Sequence, residues 1–196
     1  MDNRVEVEVH RANGLYIEML MDMARHDVQP IFSLVGKIRP ELVELDLESR
    51  LRVSQRPYLL TDFRFKDDPW WLAVQGMKDE GEPTVWSSHY PRAAAVELAR
   101  RTLTLVWTVA GLQSSRLAIR LGLSPMTVEI FSRMKLEEIE RIAERHVVEM
   151  RPRWKEQPAI WRRLIEAARR GDLHALQSID LHGAQLLARE LMGRGG

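Results

Sequence analysis

Two long stretches of the chain place apolar residues at the spacing of an α-helix. One is NGLYIEMLMDMARHD, and the other is AAAVELARRTLTLVWTVAGL. The period of about 3.6 residues predicts a largely buried helix in each. The N-terminal VEVEV instead alternates with a period of two, which predicts a short strand or an extended arm. The apolar positions of the two helices are Leu15, Tyr16, Met19, Leu20 and Met23, and Val96, Leu98, Leu103, Leu105, Val106 and Val109.

Residues 81–92, GEPTVWSSHYPR, interrupt these helical patterns. The segment contains one glycine, two prolines and two serines, residue types that favour turns and loops. We therefore expect a connector here, between a first unit at 1–80 and a second unit at 93–196.

The two units follow the same order of features. Each has a glycine-bearing turn, a helix started by proline, an amphipathic helix started by Leu-Glu, an extended piece with an Arg-aromatic pair, and a Trp-containing helix after a proline. The Arg-aromatic pairs are Arg64-Phe65 and Arg153-Trp154. This order favours an internal duplication, although low identity leaves a chance similarity as the alternative.

The segment 114–133, SSRLAIRLGLSPMTVEIFSR, has the spacing of a helix–turn–helix unit. Such a unit needs a small residue where its helices cross, a turn glycine four residues later and an apolar residue six positions beyond. Ala118, Gly122 and Val128 stand at these positions. Glycine readily adopts the left-handed turn conformation, and the Ser-Pro pair that follows it is typical of a helix start.

The second helix of this unit is poorly suited to reading DNA bases. Its outward positions are predicted to be Met126, Glu129, Ile130 and Arg133. Base edges are read mainly by Arg, Lys, Asn and Gln, and only Arg133 belongs to that group. We therefore expect the unit to serve assembly, with direct base reading as the alternative.

Charge is distributed unevenly along the chain, although the net charge is only +1. Residues 1–92 carry 12 Lys/Arg and 16 Asp/Glu (−4), whereas residues 93–196 carry 17 and 12 (+5). Residues 141–170 hold nine basic residues against four Glu. This excess indicates either phosphate contact or a solvated helix face. The predicted DNA contacts are Arg133, Arg151, Arg153, Lys155, Arg162 and Arg163.

Six tryptophans are many for a chain of this length. Four lie in or beside the segments FRFKDDPWW and RPRWKEQPAIW. Trp and Arg are enriched at protein interfaces, so these segments are candidate partner contacts, with a role in the core as the alternative. The candidate contact residues are Phe63, Arg64, Phe65, Trp70, Trp71, Trp154 and Trp161.

The residues that many enzymes and metal sites require are missing from the sequence pattern. There is no cysteine, and the six histidines lack the spacing of a zinc site. No glycine-rich phosphate loop occurs. We expect no enzymatic activity, no cofactor and no metal. No apolar run approaches the length of a membrane span, so we also expect a cytoplasmic protein without a membrane partner.

Three segments resemble the FlhD subunit of the bacterial flagellar master regulator. They are LDLESRLRVSQRPYLLTDFRF, AIRLGLSPMTVEIFSRMKLEEIERIAE and DLHALQSIDLHGAQLLARELM. The first half matches best in Phe63-Arg64-Phe65. The second half matches best in Arg120-Leu121-Gly122, in Ala143-Glu144 and in the final Leu-rich helix.

The resemblance implies an all-α fold of two tandem FlhD-like repeats related by a pseudo-twofold axis. FlhD has about half this length, so the chain resembles a fused pseudo-dimer. The resemblance also implies assembly with a zinc-binding FlhC-type partner and activation of transcription at promoters, with RNA polymerase as a further expected contact. Related activators control the transfer genes of conjugative elements.

The expected function is therefore that of an activator subunit in a hetero-oligomeric DNA-binding complex. Two alternatives stay open at this point. One is an autonomous helix–turn–helix regulator, and the other is an anti-activator that mimics a regulator subunit and binds no DNA.

Overall fold

The computed structural model describes residues 2–26, 33–75 and 91–192. These ranges contain ten α-helices, one 3₁₀ turn and one pair of two-residue strands, which confirms the predicted all-α fold. The helices are α1 (Asp2–Arg25), α2 (Ser33–Val43), α3 (Leu47–Ser54), α4 (Asp68–Gln75), α5 (Arg92–Gly111), α6 (Ser115–Leu121), α7 (Pro125–Arg133), α8 (Leu136–Arg145), α9 (Pro158–Arg170) and α10 (Leu173–Met192). The strands are β1 (Thr61–Asp62) and β2 (Arg151–Pro152), and the 3₁₀ turn is Val147–Glu149. Except for Pro91 and Arg92, the predicted connector lies outside the described residues.

The N-terminal VEVEV is part of α1, so the prediction of a strand or arm was wrong. Val5 and Val9 are buried, whereas Val7 between them is exposed. The buried positions continue through Ala12 and Tyr16 at steps of three or four residues. That longer run places all four side chains on one face of a helix, so the helical period overrides five residues of alternation.

The described elements occur in the same order in the two halves. A long helix (α1 or α5) is followed by a bent or broken helical pair, a short helix (α3 or α8), a short strand (β1 or β2) and a further helix (α4 or α9). Helix α2 is kinked at Ile38 and contains Pro40, so it is bent at the place where α6 and α7 are separate helices. This common order agrees with an internal repeat. Helix α10 has no counterpart in the described part of the first half.

The two strands pair with one another in an antiparallel ribbon. Thr61 lies opposite Pro152, and Asp62 lies opposite Arg151. The first residue of each strand therefore faces the second residue of the other, as a twofold axis through the ribbon requires. Arg64 and Trp154 each follow the first strand residue by three positions, and their φ angles are +51° and +52°. Each strand is therefore followed by a residue in the same left-handed backbone conformation, which is uncommon for residues other than glycine.

In each half, the helix that follows the short strand packs onto the other half, and the two long helices also contact each other. Helix α4 contacts α7, α9 contacts α2 and α3, and α1 contacts α5. The Trp71 ring lies edge-on to Phe131 of α7 at a centroid distance of 4.6 Å. The Trp161 ring lies edge-on to Tyr16 of α1 at 6.4 Å. Because these contacts cross between the halves, the buried apolar residues form one continuous core.

Candidate functional site

Helices α6 and α7 form a helix–turn–helix in which side chains cap both helix starts. The Ser114 hydroxyl accepts a hydrogen bond from the backbone N–H of Leu117, and the Ser124 hydroxyl accepts one from Thr127 over 2.9 Å. Gly122 ends α6 with φ +71°, in the left-handed region. The two helices and the glycine turn therefore lie where the sequence predicts them, because local capping residues define each boundary.

The helix–turn–helix is anchored to the core through its inward side chains. Leu121, Leu123 and Phe131 are buried, and Val128 packs against the core from a partly buried position. The indole N–H of Trp107 on α5 donates to the Met134 carbonyl over 2.9 Å, just after α7 ends. These contacts cover the inward side of the unit, so the remaining faces of α6 and α7 are the ones available to other molecules.

Arg153 lies buried against the turn of this unit. Its Nη2 donates to the carbonyl of Leu121 over 2.9 Å and to the carbonyl of Thr61 over 3.1 Å. The side chain is 3% exposed, and burial lowers the pKa of its guanidinium. A Cβ on Gly122 would lie 2.3 Å from Arg153 Nη1, so the glycine is needed for space as well as for its φ. The prediction that Arg153 contacts DNA was wrong, because the tertiary fold uses its charge inside the molecule.

The exposed face of α7 carries few groups that could read DNA. Met126, Glu129 and Arg133 are exposed, as the sequence predicts. Ile130 is only 3% exposed, so its predicted outward position was wrong. Helix α7 packs against both α4 and α5, which buries a wider face than the sequence indicates. Arg133 forms an ion pair with Glu129 one turn earlier, at 2.5 Å.

A mostly apolar groove of about 550 Å³ runs along the helix–turn–helix. It lies between α6 and α7 and is bounded by the ends of α5 and α10. Ile119, Leu123 and Val128 contribute apolar surface, and Leu191 and Met192 close one side. Such a lining suits the apolar side chains of a protein partner better than it suits phosphate. Sequence reasoning missed this groove because its walls meet only when α5, α6 and α7 pack together and the distant end of α10 closes one side.

Two of the four basic residues of α9 pair with groups in α2 or just after it. Arg162 Nη2 donates to the Lys37 carbonyl over 2.6 Å, and Arg162 Nε lies 3.2 Å from Glu41 Oε1. Arg169 pairs with Glu44 at 2.8 Å. Arg163 is exposed and has no ion pair within the described ranges. Part of the predicted phosphate-binding cluster therefore holds the two halves together.

The predicted DNA residues at the ribbon are also paired with acidic neighbours. Arg151 lies 3.0 Å from Glu149, and the same Glu149 oxygen accepts a 2.6 Å hydrogen bond from Arg64. Lys155 lies 3.6 Å from Glu156. Their positive charge is therefore partly neutralised within the chain, although all three basic side chains are only half-buried.

The Arg-aromatic segments pack mainly inside the molecule. The prediction that these segments contact a partner was wrong for five of their aromatic rings. These rings lie in the core, as the alternative interpretation proposes. Trp70 is half-buried, with Arg64 5.6 Å above its ring and His146 edge-on at 5.5 Å. Arg64 and Trp70 therefore stay at the surface margin. The buried members are Phe63, Phe65, Trp71, Trp154 and Trp161.

Asn13 is a central polar residue that the sequence analysis did not single out. It is buried in α1, where its side-chain amide donates to the carbonyls of Ser54 and Tyr58 over 3.1 and 2.9 Å. Its side-chain oxygen accepts from the backbone N–H of Leu60 over 2.8 Å. A lone asparagine among the buried apolar positions of α1 was the available signal, since a buried amide needs partners.

Burial also shifts the pKa values of one aspartate and two histidines away from their ordinary values. It raises the pKa of Asp180 on α10 to about 6, although the Arg56 guanidinium 2.8 Å away opposes the rise. Burial lowers the pKa of His10 and of His146, and Glu6 and Glu149 respectively oppose these shifts. The histidines are therefore favoured in the neutral form.

The described ranges contain no group of three or more His, Asp or Glu side chains placed to hold a metal ion. No helix in the same ranges has both the length and the apolar character needed to cross a membrane. Comparison with protein-family models, curated proteins and solved structures found no match.

Proposed function

We propose that this chain is a subunit of a transcription activator that acts at promoters together with a second, FlhC-like protein. Its helix–turn–helix serves mainly to dock that partner. The observation that carries this proposal is the apolar groove between α6 and α7, beside an exposed face that offers one arginine already paired with Glu129. The FlhD resemblance of the sequence supports the same assignment.

The chemistry of the exposed α7 face explains why a partner is needed. Specific base readout requires paired donors and acceptors that reach into the major groove. Met126 offers none, and Glu129 repels phosphate unless Arg133 neutralises it. Ile119 is 45% exposed at the groove, where burial against another protein would remove its apolar surface from water. The face therefore favours protein association over autonomous DNA reading.

A gel-shift experiment on the upstream region of the protein's own gene cluster tests this function. We expect a shifted band when the chain and an FlhC-like neighbour are both present, and a weak, sequence-independent shift with the chain alone. A specific shift with the chain alone would overturn the proposal in favour of an autonomous regulator.

A matched pair of variants separates docking from general destabilisation. Ile119→Glu places a charge in the groove and should abolish the joint shift. Leu181→Glu places the same charge at a residue that is 63% exposed on α10 and does not line the groove, so it should leave the shift unchanged. Equal behaviour of the two variants would argue against the groove as the docking site.

One observation favours a second candidate function, an anti-activator that binds no DNA. Arg153 is buried and Arg162 is bound to α2, so two predicted phosphate contacts are used internally. An anti-activator would remove the partner from its DNA. The same gel separates the candidates, because an activator subunit adds mass to the partner–DNA band whereas an anti-activator makes that band disappear.

A further inference from the structure

The groove between α6 and α7 offers an apolar surface with few free polar groups. Among the described residues that line it, Glu129 alone carries a charge. Two of its hydroxyl groups are used within the chain, because Ser114 caps α6 and Ser132 donates to the Glu129 carbonyl over 2.8 Å. Ile119 and Met192 also line the groove and are exposed. The groove therefore suits apolar side chains better than a polar small molecule.

The walls of this groove are helical, which decides the backbone conformation of a segment that fits it. An extended peptide binds along a free sheet edge, because the edge supplies hydrogen bonds to its main chain. The described lining residues belong to α5, α6, α7 and α10 or to the turns beside them, and they offer no such edge. A helix satisfies its own backbone groups and can place an apolar face in a groove between helices. The groove therefore fits an amphipathic helix.

The helix–turn–helix that forms the groove carries an excess of positive charge. Residues 114–135 contain four basic residues and one acidic residue, which leaves a net charge of +3. The acidic residue, Glu129, is paired with Arg133 at 2.5 Å. A helix that lies in the groove therefore meets a rim on which positive charge predominates. The basic residues are Arg116, Arg120, Arg133 and Lys135.

Arg116 and Arg120 lie one turn apart on the flank of α6 beside the groove. Arg116 directly follows the lining residue Ser115, and Arg120 directly follows the lining residue Ile119. Arg116 is exposed and Arg120 is half-buried. Neither arginine forms an ion pair within the described ranges, and α6 contains no acidic residue. Both positive charges are therefore available to acidic side chains of a bound segment.

We propose that the groove binds an amphipathic helix of the partner protein whose apolar face is flanked by acidic side chains. The apolar face fills the groove along Ile119, Leu123 and Val128, and the acidic flank pairs with Arg116 and Arg120. Complementary charge of this kind speeds association and disfavours wrong partners. The inference rests on the proposed docking role of the groove. DNA phosphate is the competing ligand for the two arginines, and the apolar surface beside them favours a protein segment.

Two synthetic helical peptides test this preference by fluorescence anisotropy with the full chain. Both carry the same leucines at positions i, i+3, i+4 and i+7, and the flanking positions are Glu in one and Lys in the other. We expect saturable binding of the Glu peptide and about tenfold weaker binding of the Lys peptide at low salt. The difference should shrink at high salt, because salt screens exposed ion pairs. Equal binding of the two peptides, tighter binding of the Lys peptide, or no saturable binding of either would overturn the proposal.

Arg116→Glu and Arg163→Glu are a matched pair of charge reversals. Both arginines are exposed and lack an ion pair in the described part of the chain, and only Arg116 adjoins the groove. Arg116→Glu should remove the preference for the Glu peptide, whereas Arg163→Glu should keep it. If Arg116→Glu keeps the preference and instead weakens binding to a DNA duplex, the arginine contacts phosphate and the proposal is overturned.

The peptide test fails separately from the test of the activator function. Loss of the joint gel shift with a preserved peptide preference would remove the activator function and keep the acidic helix as the ligand. Equal binding of both peptides together with an intact joint gel shift would remove the acidic helix and keep the activator function.

Discussion

The guanidinium of Arg153 donates a 2.9 Å hydrogen bond to the carbonyl of Leu121, the last residue of α6. This bond joins the ribbon segment to the turn of the helix–turn–helix across the core. The next residue, Gly122, leaves the space that the guanidinium occupies. Arg153, which the sequence places at a DNA surface, thus helps to fix the geometry of the helix–turn–helix instead.

Gly122→Ala should destabilise the protein strongly. The new Cβ would meet Arg153 Nη1 at 2.3 Å, and φ +71° strains any L side chain by about 1–2 kcal/mol before that overlap is counted. Gly111→Ala is the matched control, because nothing lies within 4 Å of its Cβ and its backbone is helical. The urea concentration at the midpoint of unfolding should be clearly lower for Gly122→Ala than for the wild type, and unchanged for Gly111→Ala.

Arg162→Ala and Arg163→Ala should separate internal pairing from DNA contact. Arg162 binds the Lys37 carbonyl and Glu41, so its loss should reduce stability by about 0.5–1 kcal/mol, a modest value because the side chain is half exposed. Arg163 has no such partner in the described ranges, so its replacement should leave stability unchanged.

The salt dependence of DNA binding by the complex tests whether Arg163 contacts phosphate. Arg163→Ala should flatten the salt dependence of DNA binding, because an exposed arginine that contacts phosphate releases counterions. Measured in the joint gel shift at several salt concentrations, an unchanged slope for Arg163→Ala would show that this residue belongs to a solvated face.

Trp71→Ala and Trp70→Ala test whether the aromatic segment stabilises the core. Trp71 is fully buried, packs on Phe131 and donates its indole N–H to the Arg64 carbonyl, so its truncation should cost about 3–5 kcal/mol. Trp70 is half-buried, so Trp70→Ala should reduce the free energy of unfolding distinctly less. Chemical denaturation compares the two, and a larger loss at Trp70 would contradict the core assignment.

Asp180 should make part of the protein's stability depend on pH. Its folded pKa of about 6 lies above the ordinary 3.8, so the folded state binds more protons than the unfolded state between these values. The contribution is fully present below pH 3.8 and is lost as the pH rises through about 6.

Urea unfolding of the wild type and of Asp180→Asn between pH 4 and pH 7 measures this contribution. The free energy of unfolding of Asp180→Asn, relative to that of the wild type, should increase from pH 4 to pH 7. A constant difference would show that the Arg56 guanidinium keeps the carboxylate charged throughout.

Local sequence signals were sufficient for several elements of the fold. The apolar period predicts α5, and Gly122 with the Ser-Pro pair after it predicts the break between α6 and α7. The parallel features of the two halves also predict the common order of their elements. These features depend on residues close together in the chain, where capping, turn conformation and helical period act directly.

Only the tertiary structure decided which charged and aromatic residues remain available at the surface. Arg153, Ile130 and Trp161 are buried because elements from the other half or from distant parts of the chain pack over them. A sequence pattern gives the face of a helix, but it does not show how wide a face the neighbours cover or which carbonyl a long side chain can reach. The α6–α7 groove arises from the same long-range packing, which brings the end of α10 against segments that are far from it in sequence.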